Sequence, residues 1–224
     1  MKDLTLLYYS ANLIEEPFGT NVRNHLLSIF PDGIPLISIS HKPMDFGKNI
    51  CVAGFAYSIY NIYRQIYIGA QAAETEYVAC CEDDALYNLE HFSFRPPKDT
   101  FAYNLNRWII DNDLFFHRNR ANMSMCIASR ELMIETLKKR FEKFPDEIVD
   151  RAQLVGFGEP GRSEFKLRLP SVKMMTFETK DPTLVFNHRP SVGGVRKVLP
   201  RDILRKDLEP WGKAINLWST IYGS

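Results

Sequence analysis

Between Phe55 and Asp84 the chain changes its hydrophobic period twice, and the order of the changes limits the architectures open to it. Phe55, Ile59, Ile62, Ile66, Ala70 and Ala73 recur at steps of three and four, which places them on one face of a helix. Glu74-Thr75-Glu76 breaks that pattern. Tyr77-Val78-Ala79-Cys80-Cys81 then reads as a short apolar strand, and it stops at three acids, Glu82-Asp83-Asp84. Upstream, Leu4 to Tyr9 reads as a buried strand and residues 21–30 as a helix, with Val22, Leu26, Leu27 and Phe30 on one face. After the turn Pro31-Asp32-Gly33, Ile34 to Ile39 reads as a second strand, and residues 43–54 as irregular. The order strand, helix, strand, helix, strand implies a parallel α/β sheet with right-handed crossovers.

Beyond the acids the pattern loosens. Phe92 to Pro97 has loop chemistry, and Phe101 to Ile110 is aromatic and amphiphilic. Met123 to Ala128 reads as a strand. Ser129 is a good N-cap for a helix through about Phe144, with Glu131 near its start and Lys138-Lys139-Arg140 towards its end. Pro145-Asp146 is expected to open another short helix, Phe157 to Arg162 a loop, and Val172 to Glu178 a strand. Asp181 to Ser224 carries Pro182, Pro190, Pro200 and Pro210 and is expected to form an irregular C-terminal extension over the domain.

Ligands of open parallel sheets bind beyond the carboxyl ends of the strands, where Glu82-Asp83-Asp84 falls. Three adjacent carboxylates repel one another unless a cation sits among them. Hard oxygen donors suit Mg²⁺ or Mn²⁺, ions that commonly bind substrate phosphates as well. On the sequence alone, a solvated acidic turn that caps the following helix is the competing account.

The stretch from Ile59 to Tyr87, a helix with Gly and Ala leading to a strand that ends in Glu-Asp-Asp, resembles the central part of GT-A glycosyltransferases. In those enzymes the corresponding strand ends in an Asp-x-Asp-type motif. Family-2-like enzymes are the nearest broad group, and phage enzymes that glycosylate hydroxymethylated DNA bases are a narrower one. The resemblance covers roughly residues 4–90 and implies a GT-A-like, Rossmann-like fold, with a mostly parallel central sheet flanked by helices. It implies one catalytic domain over 1–224: a nucleotide-sugar half (1–112), an acceptor half (113–180) and a tail (181–224) closing over the site. It further implies metal-dependent transfer of a sugar from a nucleoside-diphosphate sugar, a UDP-sugar in the first instance, to a hydroxyl. Asp84 is then the direct metal ligand, Glu82 at the first motif position joins it in the metal site, and Asp83 acts through the ribose or a metal-bound water. The nucleotide lies over Tyr9, Ser10, Ala11 and Asn12. His188 is the C-terminal metal or diphosphate ligand. Around it, Gly193-Gly194 permits backbone approach to phosphate, and Arg189, Arg196 and Lys197 supply positive charge.

An inverting transfer needs a general base, for which Glu159 in Gly158-Glu159-Pro160-Gly161-Arg162 is the first candidate, with Asp111 and Asp113 in reserve. The other account of Glu159 is a turn carboxylate paired with Arg162. Tyr103-Asn104-Leu105-Asn106-Arg107-Trp108 offers rings and polar groups for a sugar or an extruded base, and equally for a core. His117-Arg118-Asn119-Arg120 offers phosphate contacts.

Charge separates the halves. Residues 1–112 hold 8 Lys/Arg against 13 Asp/Glu, and residues 113–224 hold 20 against 14. The basic half suits a polyanion, so DNA carrying hydroxymethylated bases stands beside a saccharide or lipid-linked glycan as acceptor. Two other functions remain open at this level. A sugar-phosphate nucleotidyltransferase would usually carry a Gly-rich basic loop after the first strand, but here that loop runs Ser10 to Glu16, acidic and without Gly. A non-catalytic nucleic-acid-binding protein would show a recognisable motif, and none is present. The four cysteines, Cys51, Cys80, Cys81 and Cys126, match no zinc spacing. The N-terminal residues resemble no signal peptide and no apolar run is long enough for a bilayer, so a cytoplasmic setting is expected.

Overall fold

The computed structural model describes residues 1–146, 157–162, 164–189 and 194–223. Its larger sheet is assembled from β1 (Leu4–Ser10), β2 (Leu36–Ser40), β3 (Lys48–Cys51), β4 (Tyr77–Glu82), β6 (Thr100–Asn104), β9 (Cys126–Ser129) and β10 (Lys173–Phe177), in the order β10-β6-β9-β4-β1-β2-β3. Only β9 runs against its neighbours; every other pairing is parallel. The chain is a mixed α/β protein with a mostly parallel central sheet flanked by helices. β1 lies where the winding reverses, with β2 and β3 on one side and β4 on the other, and such a point leaves a crevice at the carboxyl ends.

Every residue of β1 is buried, because helices cover both faces of the sheet. Alternation divides the strand. Leu7 and Tyr9 face a core built with α2 (Ile59–Ala72) and α4 (Arg130–Lys143), through Ile66, Ala70, Met133 and Leu137. Leu6 and Tyr8 face the other core, with Leu26 of α1 (Phe18–Ser28), Tyr87 and Phe92. Gly69 allows α2 to lie close to the sheet: a Cβ there would come within 2.6 Å of Ile39 Cδ1 and 3.2 Å of Leu7 Cδ2. Helix α2 starts later than its apolar period suggests. The Ser58 hydroxyl caps it by accepting from Asn61 N at 3.2 Å, and Phe55 precedes the helix. Ser129 caps α4 as expected, accepting from Leu132 N at 3.3 Å.

The second half is more regular than the sequence suggests. The aromatic stretch after residue 100 divides into β6 and β7 (Arg107–Asp111). A second sheet has the order β12-β8-β7-β11-β5, from β12 (Ile203–Arg205), β8 (Leu114–His117), β11 (Thr183–Phe186) and β5 (Ala85–Leu86). The tail expected to be irregular therefore supplies an interior strand, β11, which runs parallel to β7 and antiparallel to β5. The tail also ends in a helix, α5 (Ala214–Tyr222), which packs Ala214 and Ile221 into a third core with Phe18, Phe115 and Phe186. Segment 43–54, expected to be irregular, holds β3, a polar edge strand. Asn49 Nδ2 donates to the hydroxyls of Ser38 and Ser40, both at 2.8 Å, and so anchors it. A short helix α3 (Leu89–Ser93) takes in Phe92 and Ser93, the first two residues of the expected 92–97 loop. The helix expected from Pro145-Asp146 falls on residues outside those described. Among the described residues no helix is long and apolar enough to cross a membrane.

Candidate active site

A cleft of about 370 Å³ opens at the carboxyl ends of β1 and β4. Register explains why the acids and the first loop meet there: Tyr9 of β1 stands opposite Glu82 of β4. Ser10 Oγ donates to Asp83 Oδ2 at 2.5 Å, and Tyr9 Oη approaches Glu82 Oε1 at 3.4 Å. The open end of the sheet is fixed by Gln65, whose buried Nε2 donates to the carbonyls of Ser10 (3.0 Å) and Ile39 (2.8 Å). Tyr87 secures the acidic turn from below, accepting from Glu82 N and donating to Ser124 O, each at 3.0 Å.

The same pairing logic brings His188 in from 104 residues away. β5 follows the acids directly and pairs with β11, Ala85 opposite Val185. Phe186 N then donates to Asp84 O at 2.9 Å. Two residues further on, His188 Nε2 lies 3.0 Å from Asp84 Oδ2, with both side chains 9% exposed. Asp84 Oδ1 is buried without a hydrogen-bond partner. An orphaned carboxylate oxygen of this kind is costly unless a ligand completes it.

Charge is concentrated at the cleft floor. Burial first, and then the Asp84 carboxylate, push Glu82 up to about 8, against the pull of Arg196 and Arg107. The same two causes push Asp83 up to about 7, against the Ser10 hydrogen bond and His188. A cation would relieve this repulsion. Asp84 and His188 fit a divalent ion as a two-donor site with a free oxygen, the open kind that leaves positions for phosphate oxygens and water. The expected metal trio of Glu82, Asp84 and His188 is not assembled: the Glu82 carboxylate pairs with Tyr9 instead. Among the described residues, no group of three or more His, Cys, Asp and Glu side chains is placed to hold a metal.

Tyr9, Ser10, Glu82, Asp83, Asp84, Glu159, His188 and Arg196 all line the cleft. Asn12, Arg189 and Lys197 do not. Asn12 has φ 54° and accepts from Lys42 N at 2.8 Å, which gives it a turn-forming part. Arg189 and Lys197 are exposed, and Gly193 is outside the described residues. Glu159 is 6% exposed and paired with Arg162, and Arg120 Nη2 lies 3.7 Å from its Oε1. Its turn is tied down by Tyr103 Oη, which donates to Pro160 O at 2.8 Å. Asp111 accepts from Asn187 Nδ2 at 2.8 Å and, like Asp113, is absent from the lining.

Tyr57 lines the cleft although nothing in the sequence singles it out, and Arg107, expected as part of a mixed aromatic surface, stands there as a buried cation. Tyr9 is only 3% exposed, whereas Tyr57, 44% exposed on the same cleft, presents a free ring. Arg107 opens β7 and shares a face with Ile109, which also lines the cleft. Period-two alternation through Arg107-Trp108-Ile109 is the signal that puts a cation on an inward face.

No protein-family model and no curated protein matches the chain. Among solved structures, 83 chains match. A glycosyltransferase involved in glycosylation of the major capsid of the virus PBCV-1 is 12% identical, with a TM-score of 0.49 over 81% of this chain and 91% of its own. A nucleotidyl transferase from Methanothermobacter thermautotrophicus is 12% identical, with a TM-score of 0.48 over 80% and 88%. The bifunctional IspDF of Campylobacter jejuni is 11% identical, with a TM-score of 0.45 over 80% of this chain but only 50% of its own. Likeness at these levels is one of chain course, and the chemistry rests on the cleft.

Proposed function

We propose that the protein is a metal-dependent glycosyltransferase that uses a nucleoside-diphosphate sugar, with a UDP-sugar as the first candidate. The observation that carries this reading is the Asp84–His188 pair, 3.0 Å apart, with Asp84 Oδ1 unsatisfied beside two further carboxylates at a strand-end crevice. Asp84 and His188 would hold Mn²⁺ or Mg²⁺, which supplies charge neutralisation for a departing diphosphate. Arg196 approaches the same place from the tail. Its backbone is held by Asn187: Arg196 N donates to Asn187 Oδ1 at 2.7 Å, and Asn187 Nδ2 donates to Arg196 O at 3.0 Å. Tyr57 offers a ring to the base, and Ser10 with Asp83 a hydrogen-bonding edge to the ribose.

In the transfer, the acceptor oxygen forms a bond to the anomeric carbon while the bond from that carbon to the diphosphate oxygen breaks, its electron pair leaving with the nucleotide. Glu159 takes the acceptor proton if configuration inverts, after giving up its pairing with Arg162. The acceptor is a hydroxyl, with hydroxymethylated DNA bases and a saccharide or lipid-linked glycan as the two classes to compare. The test is release of UDP from UDP-sugars in the presence of Mn²⁺. Wild-type protein releases UDP and Asp84→Ala does not, while keeping its folded circular dichroism spectrum. Equal release by both proteins would sink the assignment.

A further inference from the structure

The elements that line the cleft divide by charge. The wall built from β1 and the start of α2 contributes hydroxyls, rings, apolar side chains and the Gln65 amide, and no Lys or Arg. The arginines that line the cleft come from other elements: Arg107 from β7, Arg118 and Arg120 from the segment after β8, and Arg196 from the tail. Arg118 is committed to Asp202, donating from Nε at 3.0 Å and from Nη2 at 2.6 Å.

Among the described residues Arg107 has no such partner. It is 4% exposed, and its Nε and Nη1 are buried with no hydrogen bond. Its surroundings do not offset its charge. Burial and Arg196 push its pKa down, with Arg120 adding to the effect, and together they outweigh Glu82 and Asp84 to leave it at about 10. A buried guanidinium with idle donors is unfavourable in the free protein and is repaid only by an anion that brings its own acceptors. Arg120 adds its charge to that of Arg107 and lies 3.7 Å from Glu159, the base candidate, so it stands between the two.

We infer that the acceptor substrate carries an oxyanion, a phosphate or a carboxylate, received by the idle donors of Arg107 with Arg120 beside it. This inference rests on the transferase reading, which gives the base and ribose to Tyr57, Ser10 and Asp83 and the diphosphate to Asp84, His188 and Arg196, leaving Arg107 and Arg120 to the acceptor. The oxyanion fixes the acceptor so that its hydroxyl faces Glu159. It also makes a neutral analogue of the acceptor a poor substrate.

Inorganic phosphate and acetate, titrated separately, are the probes, with the melting midpoint and calorimetry as readouts. One of the two is expected to bind saturably, both to the free protein and to protein saturated with UDP and Mn²⁺; which one binds tells a phosphate from a carboxylate. Arg107→Gln is expected to leave the midpoint of the free protein unchanged or raised, since an unpaired buried charge is lost. It should weaken the anion at least about 10-fold and keep UDP–Mn²⁺ affinity within about twofold. Arg120→Gln, at a half-exposed position, should weaken the anion in the same direction. Displacement of the anion by UDP–Mn²⁺ would overturn the inference, because the arginines would then serve the donor diphosphate. A lowered midpoint for free Arg107→Gln, or no binding of either anion, would also overturn it. If an anion binds but UDP–Mn²⁺ does not, the transferase reading fails and the acceptor assignment with it, leaving only an anion site.

Discussion

The turn that carries Glu159 is braced by a buried ion pair, and breaking that pair should show how the turn is held. Arg140 of α4 and Glu164 are 1% and 4% exposed, with Nη2 to Oε1 at 2.7 Å. Arg140 also donates to Phe157 O, and Glu164 accepts from Gly161 N, so the pair grips both ends of the turn. Arg140→Met leaves the Glu164 carboxylate buried and uncompensated, a change that costs about 3–5 kcal/mol. For a chain of this size that corresponds to a midpoint lowered by roughly 6–20 °C. Arg140→Met/Glu164→Gln removes the stranded charge while keeping an acceptor for Gly161 N, and should recover at least about 1 kcal/mol of the loss. Urea unfolding of the wild type, the single variant and the double variant measures these differences. UDP–Mn²⁺ affinity should hold in any variant that remains folded, because the proposed nucleotide contacts Ser10, Tyr57, Asp83, Asp84 and His188 lie on other elements. A single variant within about 1 kcal/mol of wild type, or a double variant no better than the single, would refute the reasoning.

Acid stability provides a separate check. Burial pushes His91 down to about 3, whereas in the unfolded chain it titrates near 6.5. Between those values the unfolded state binds one more proton, so stability falls as pH drops below 6.5, by up to about 1.4 kcal/mol per unit from this residue. His91→Gln should flatten the stability–pH slope between pH 6.5 and 4.5 by about one proton in urea titrations; an unchanged slope contradicts the burial account. Tyr57→Ala should weaken nucleotide binding by roughly 0.5–1.5 kcal/mol in calorimetry while leaving the melting midpoint of the free protein nearly unchanged. Unaltered affinity would remove Tyr57 from the base site.

What the sequence reveals depends on how far apart the partners are. The β1–α1–β2 and α2–β4 units, the acids at the end of β4 and the Ser129 cap are all encoded locally, in periods and caps a few residues long. β11 is a four-residue strand, Thr-Leu-Val-Phe, between Pro182 and the 187–189 loop. Its reason for being a strand lies in β5 and β7, about 75–100 residues away by register. β3 carries no apolar alternation, and side-chain amide bonds to β2 hold it in place. The His188 expectation came from a family resemblance, and the β5–β11 pairing supplies its physical cause. Arg107 was read within a mixed aromatic segment, because its meaning depends on the emptiness around its guanidinium, which only the fold reveals. For Arg189 and Lys197, proximity in sequence to His188 was misleading: the chain turns them to solvent while Arg196 faces in.

The central claim is that Asp84 and His188 make a divalent-ion site at which a nucleoside diphosphate is held. Calorimetric titration of UDP into the protein, with Mn²⁺ and with EDTA in its place, tests it most directly, and Asp84→Ala and His188→Ala complete the comparison. The account predicts saturable binding only with metal. It also predicts affinity weakened at least about tenfold, or roughly 1.4 kcal/mol, in each variant. Binding that is indifferent to metal, or unchanged in the variants, would contradict it.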